Sequence, residues 1–220
     1  MPGTLALVGG GEWGPECSFD RDLLDAAGTS DVVVLATAAA YELPAEHEQR
    51  AAEHFARLGA QVRALPVYGR SDALDDGHAE VVASARFLYL SSGASLHFVS
   101  VMKATPVWEA LTAAWEAGAV VAASEGSARA LADPMVDPRG GAFTLGLGLL
   151  PGLAFVPHRD RWSHDRATRT RELAPKGVPL VVVDTSTAIV RDPDASWSVC
   201  GAGGASVFVD NVEVGLETLP

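Results

Sequence analysis

The chain has 220 residues with 28 acidic against 16 basic side chains, a formal net charge of −12 that offers no footing for a phosphate backbone and argues against nucleic acid as a partner. Its length and even composition predict one domain, residues 1–220, while two cysteines, Cys17 and Cys200, are too few for a disulfide framework or a cysteine-built zinc site. The start, Met-Pro-Gly-Thr before Leu5 to Val8, has no basic segment and no long apolar run, so neither signal peptide nor membrane span is expected and the predicted location is cytoplasmic.

Leu5 to Val8 is an apolar run ending in Gly9-Gly10-Gly11, which suits a buried parallel strand with a ligand-facing loop at its carboxyl end. A phosphate-loop reading fails, because no Gly-Lys-Ser/Thr follows. Asp20 to Ala27 reads as a helix closed by Gly28, and Asp31 to Leu35 as the second strand. Between Pro44 and Leu58 the pattern is amphipathic, with Ala52, Phe55, Ala56 and Leu58 placed inward. His47 and His54 lie seven apart on that helix, but no third ligand is evident and no metal site is expected. Gln61 to Leu65 and Arg86 to Leu90 are further strands, the second ending in Ser91-Ser92-Gly93-Ala94-Ser95. Small residues there let backbone amides approach a ligand, which makes Gly93 and Ala94 candidate oxyanion donors. Thr105-Pro106 is an N-cap followed by a helix to Ala117.

The stretch Gly118 to Ala128 organises the rest. It reads as a buried strand, Ala119 to Ala123, breaking through small residues at Ser124 to Ser127 into a helix beginning at Ala128. Such a break leaves one side chain above the strand ends beside free amides, the geometry of a nucleophile elbow. Ala122-Ala123-Ser124-Glu125-Gly126 keeps Ser-x-Gly but has Ala at the first glycine, so the apex is either Ser124 or Glu125. Downstream, Asp133 and Asp137 lie in turn sequence, and an apolar Gly-rich segment delivers His158, followed by the polar rim Trp162, Ser163 and His164. Val178 to Asp184, Ala188 to Arg191, Trp197 to Cys200 and Val207 to Val209 read as an antiparallel extension of the sheet.

With these pieces in view the chain resembles the serine-peptidase family of dipeptidase E and cyanophycinase. The likeness is carried by Leu7-Val-Gly-Gly-Gly-Glu-Trp13, Tyr89-Leu-Ser-Ser-Gly-Ala-Ser-Leu-His97, Thr105-Pro-Val-Trp-Glu-Ala-Leu111 and Gly141 to Leu150 leading to Pro157-His158. The resemblance implies a three-layer α/β/α sandwich with a mostly parallel sheet, class I glutamine-amidotransferase-like and flavodoxin-like. It implies a small-molecule or short-peptide substrate, a homodimer, and no cofactor or metal. By that resemblance His158 matches the family histidine, Gly93 and Ala94 fall on the oxyanion loop with Ser92 in place of one glycine, and the acid is Asp133 or else Asp137. Gly10, Gly126, Trp162 and His164 complete the substrate-binding set. Counted without gaps, the nucleophile position falls on Glu125; only a one-residue slip, which would turn side chains to the other face, restores Ser124. Three readings follow: an acid–base enzyme using Glu125 and His158 for water activation, cyclisation or isomerisation; a serine hydrolase using Ser124, His158 and Asp133; and an inactive protein that binds a small ligand.

Overall fold

The computed structural model describes residues 1–139 and 141–220. Its main sheet begins with five parallel strands, β1 (Leu5–Val8), β2 (Asp31–Leu35), β3 (Gln61–Ala64), β4 (Phe87–Leu90) and β5 (Val120–Ser124). Apart from β3 and Asp31 at the start of β2, these are short runs of residues buried on both faces, which is what a sheet covered by helices on either side requires. Side-chain alternation splits them between two cores. Leu5, Leu7, Val33, Leu35, Leu88, Leu90, Val121 and Ala123 face one layer of helices, and Ala6, Val8, Val32, Val34, Phe87, Tyr89, Val120 and Ala122 face the other.

The second of these layers is α1 (Phe19–Ala27) and α2 (Pro44–Arg57); the first includes α3 (Arg70–Ala73), α4 (Asp76–Ser84), α5 (Ser95–Met102), α6 (Pro106–Glu116) and α7 (Glu125–Leu131). The result is the expected three-layer α/β/α arrangement. Termini are set locally: Gly28 closes α1 in the left-handed conformation, and the Thr105 hydroxyl accepts from the Trp108 amide at the start of α6. The inward face of α2 differs from the sequence reading. Ala51, His54 and Phe55 are buried, whereas Ala52 and Ala56 are exposed. The cause is Asp20 on α1: its buried carboxylate lies 2.9 Å from His54 Nε2, so a histidine the pattern put outside is accommodated inside.

Beyond α7 the chain forms two small pairings, β6 (Ala132–Asp133) with β9 (Leu150–Pro151) and β7 (Met135–Val136) with β8 (Phe143–Thr144). Next come β10 (Ala154–Val156), α8 (His164–Leu173), β11 (Leu180–Val183), β12 (Thr187–Arg191), β13 (Trp197–Gly201), β14 (Ala205–Val209) and β15 (Val212–Val214). The expectation of one antiparallel extension is corrected here. β12 and β13 do extend the main sheet, in the order β13-β12-β1-β5-β4-β2-β3, but β11 and β14 join β10 and β15 in a separate four-stranded sheet. β11 pairs parallel to β10, an arrangement that period-two alternation cannot distinguish from an antiparallel neighbour. No helix among the described residues is long and apolar enough to cross a membrane.

Candidate active site

Strands β1, β5 and β4 are adjacent and parallel, so the loops at their carboxyl ends converge. Gly9 to Glu12, Ser124 to Gly126 and Ser91 to Ser95 therefore meet at one end of the sheet. The strand-to-helix junction is sharper than the sequence suggested. β5 runs to Ser124 and α7 starts at Glu125, without the intervening turn up to Ser127. Glu125 makes the change of direction by itself, in the left-handed region at φ 47°. A non-glycine residue there costs of order 1–3 kcal/mol, which the surrounding packing must offset.

That packing is specific. A Cβ on Gly126 would collide with the Gly93 carbonyl, and one on Gly93 with the backbone of Ala38, so helix start and loop interlock through bare Cα atoms. Ser124 is fully buried, and its hydroxyl donates to Glu12 Oε2 at 2.9 Å. Glu12, itself 2% exposed, also accepts from the Ser92 amide at 3.1 Å. This carboxylate thus ties all three loops together. The Ser124 hydroxyl is thus bonded into that clamp and not to His158.

The side chain that meets His158 is Glu125, whose Oε1 lies 2.9 Å from Nε2, with exposures of 29% and 22%. His158 also sits at positive φ, 55°, and its amide donates to the Gly9 carbonyl at 2.9 Å. Gly10 leaves room for the pair: at φ 112°, a Cβ there would run into the imidazole and stand 2.8 Å from Glu125 Oε1. On its other side, His158 Nδ1 is 3.0 Å from Thr185 Oγ1, which in turn is 2.9 and 3.0 Å from the two oxygens of Asp160. Asp133 does not serve here; it accepts from the Gly146 amide at 3.3 Å. Asp137 is bound to Arg139, whose side-chain and backbone hydrogen bonds hold its carboxyl down at about 2. The group bonded to His158 Nδ1 is Thr185, with Asp160 behind it, whereas Asp133 at the end of β6 and Asp137 beside Arg139 have other partners.

The proton count of this chain follows from its geometry. Burial works to raise the Asp160 carboxyl, but the hydrogen bonds from the Thr185 amide and hydroxyl outweigh it and hold the group below the usual carboxylate range. Ionised Asp160 can only accept, so it takes the single Thr185 proton, and Thr185 Oγ1 must accept from His158 Nδ1–H. The 2.9 Å contact between Nε2 and Glu125 then needs a proton of its own.

Of the expected oxyanion donors, Ala94 is withdrawn, because its amide donates to the Ala38 carbonyl at 2.8 Å. The Gly93 amide makes no backbone hydrogen bond among the described residues, and Gly126 lies in the first helical turn, where amides lack intrahelical acceptors. Trp162 stands half-buried under the Arg166 guanidinium, while His164 is exposed at the start of α8. Sequence reasoning missed Glu12, Thr185 and Arg129. Arg129 sits one helical turn after Glu125 and is buried; burial first, then Arg166, lower its guanidinium to about 10 against the opposing pull of Glu125. A signal existed for Thr185, since Asp-Thr directly follows the apolar run of β11, and for Glu12, which follows three glycines. Among the described residues no group of three or more His, Cys, Asp or Glu is placed to hold a metal ion.

The fold assembled around this site has known counterparts. A peptidase from an acI-B1 Actinobacterium superposes with a TM-score of 0.87 at 25% identity, over 97% of this chain and 93% of that one. A candidate peptidase E protein from Listeria monocytogenes EGD-e gives a TM-score of 0.67 at 12% identity, over 92% of this chain and all of the other. No family model and no curated protein matches the sequence. The chain thus has a peptidase E-like fold.

Proposed function

We propose that this chain is an acid–base enzyme on the dipeptidase E and cyanophycinase-like scaffold, in which Glu125 occupies the nucleophile's place and works with His158 on a small amide or peptide-like substrate. The observation that carries the reading is the 2.9 Å contact between Glu125 and His158 on two left-handed residues, with Ser124 buried against Glu12. A carboxylate at an elbow does not form an ordinary acyl-enzyme, but it takes a proton from water or from a substrate carbon or nitrogen. The imidazolium beside it returns a proton to a leaving group, and Thr185 with Asp160 stabilises the charged ring. The Gly93 and Gly126 amides are the donors for a developing oxyanion. Water activation for amide hydrolysis, intramolecular cyclisation and isomerisation all fit this set.

The test is a panel of dipeptides, N-acyl amino acids and amino-acid amides, with products followed by mass spectrometry in wild type and Glu125→Gln. General acid–base catalysis contributes about 10²–10⁴-fold, so turnover falls by that factor in the variant. Undiminished turnover sinks the reading. A serine-directed phosphonate gives no adduct at Ser124; labelling there returns the protein to the serine hydrolases.

A further inference from the structure

α8 does not pack as an amphipathic helix. Its sequence, His-Asp-Arg-Ala-Thr-Arg-Thr-Arg-Glu-Leu, has no apolar stripe, and Thr170 is its one buried residue. It nevertheless lies beside the second sheet, where Leu180 and Val182 of β11 and Phe208 of β14 line the gap. What remains between them is a cavity of about 190 Å³, closed further by Trp162 and by Ala167 of the helix. Trp162 is a fixed wall, because Arg166 stacks on its ring at 4.9 Å and is itself held by the Pro138 carbonyl.

Two arginines border this cavity, and they differ. Arg159 is spent: it binds both oxygens of Asp184 and the Ser206 hydroxyl. Arg171 lies with its guanidinium 4.9 Å over Phe208, and its Nε is shielded from solvent with no acceptor. Among the described residues Arg171 has no carboxylate partner within ion-pair reach. The guanidinium lines the cavity with no carboxylate opposite it, and an anion there would take up its outer N–H donors. With Arg159 neutralised, a single anionic group is called for.

Size narrows the ligand. Pockets for drug-sized molecules run to about 300 Å³ and more, whereas an apolar cavity of about 150 Å³ takes up benzene. We propose that the space between α8 and the second sheet is a binding site for a small apolar monocarboxylate, with its ring or branched chain between Trp162 and Phe208 and its carboxylate on Arg171. The site does not depend on the chemistry at Glu125.

Titration calorimetry of the full chain with 3-phenylpropionate and with 3-phenylpropionamide tests it. The acid binds, and the amide, which lacks the charge, binds at least about tenfold more weakly. Arg171→Met removes that preference, and Ala167→Leu, which fills the cavity from the helix side, weakens both ligands at least tenfold. Binding of the acid is the same in Glu125→Gln. No binding by wild type, equal binding of acid and amide, or an unchanged preference in Arg171→Met overturns the proposal. So does loss of binding in Glu125→Gln, which assigns the acid to the Glu125–His158 pair instead.

Discussion

Two carboxylate–imidazole pairs in this molecule have the same separation and opposite situations. Asp20 and His54 meet at 2.9 Å with side chains 0% and 7% exposed, deep between α1 and α2. Glu125 and His158 meet at 2.9 Å but remain 29% and 22% exposed, on residues at φ 47° and 55°. Both Asp20 and His54 lie within ordinary helical backbone. Burial, the dominant influence, raises the Asp20 carboxyl, and the hydrogen bond from His54 only partly opposes it. The comparison teaches that the chemical pair is not what makes a site: access, and a backbone held in a costly conformation to provide it, are.

The comparison breaks first if the open pair proves inert. Glu125→Gln is expected to lose about 10²–10⁴-fold in turnover while its thermal midpoint stays level or rises, since a strained position gives up little packing. The closed pair should show the reverse. His54→Ala leaves a buried carboxylate without its partner, and breaking such a pair costs about 3–5 kcal/mol, read from urea unfolding, with turnover per folded molecule unchanged. A stable His54→Ala chain with impaired turnover would erase the distinction.

Smaller effects sharpen it. Thr185→Val removes the hydrogen-bond partner of His158 Nδ1 at nearly constant volume, so turnover falls about tenfold. If only stability changes, Thr185 is a packing residue. The smallest effect concerns acid tolerance. The Arg159 guanidinium holds the Asp184 carboxyl below its ordinary range, ahead of an opposing contribution from burial. A carboxyl depressed in the folded state contributes stability above its unfolded value of about 3.9, and that contribution is lost as pH falls through the lower folded value. Arg159 is partly exposed, so screening limits the contribution to about 0.2–1 kcal/mol. Urea midpoints at pH 7 and pH 3 should therefore converge slightly in Arg159→Met.

The five parallel strands were legible because each is an apolar run or an alternating run punctuated by glycine or a small-residue loop, and the junction at Glu125 was legible because period two forbids a silent one-residue slip. Other features were not. The α2 face turned on Asp20, a residue on a different helix whose burial no local pattern announces. The second sheet was missed because β11 and β12 look alike in sequence, and only tertiary pairing sends one to each sheet. Thr185 and Asp160, 25 positions apart, were brought together by the return of the chain after α8. The acid was sought among aspartates near the elbow in sequence, whereas the structure supplies a hydroxyl from the far side.

The interlock of Gly126 with Gly93, and of Gly93 with Ala38, sets how this scaffold can diversify. Any side chain at those glycines displaces backbone on a neighbouring element, so that wall of the cleft is closed to stepwise mutation. α8 is less constrained: apart from Thr170 its residues are not buried, and most can be exchanged at little cost in stability. New preferences among descendants of this chain would accumulate on the helix side, with the glycine side inherited unchanged.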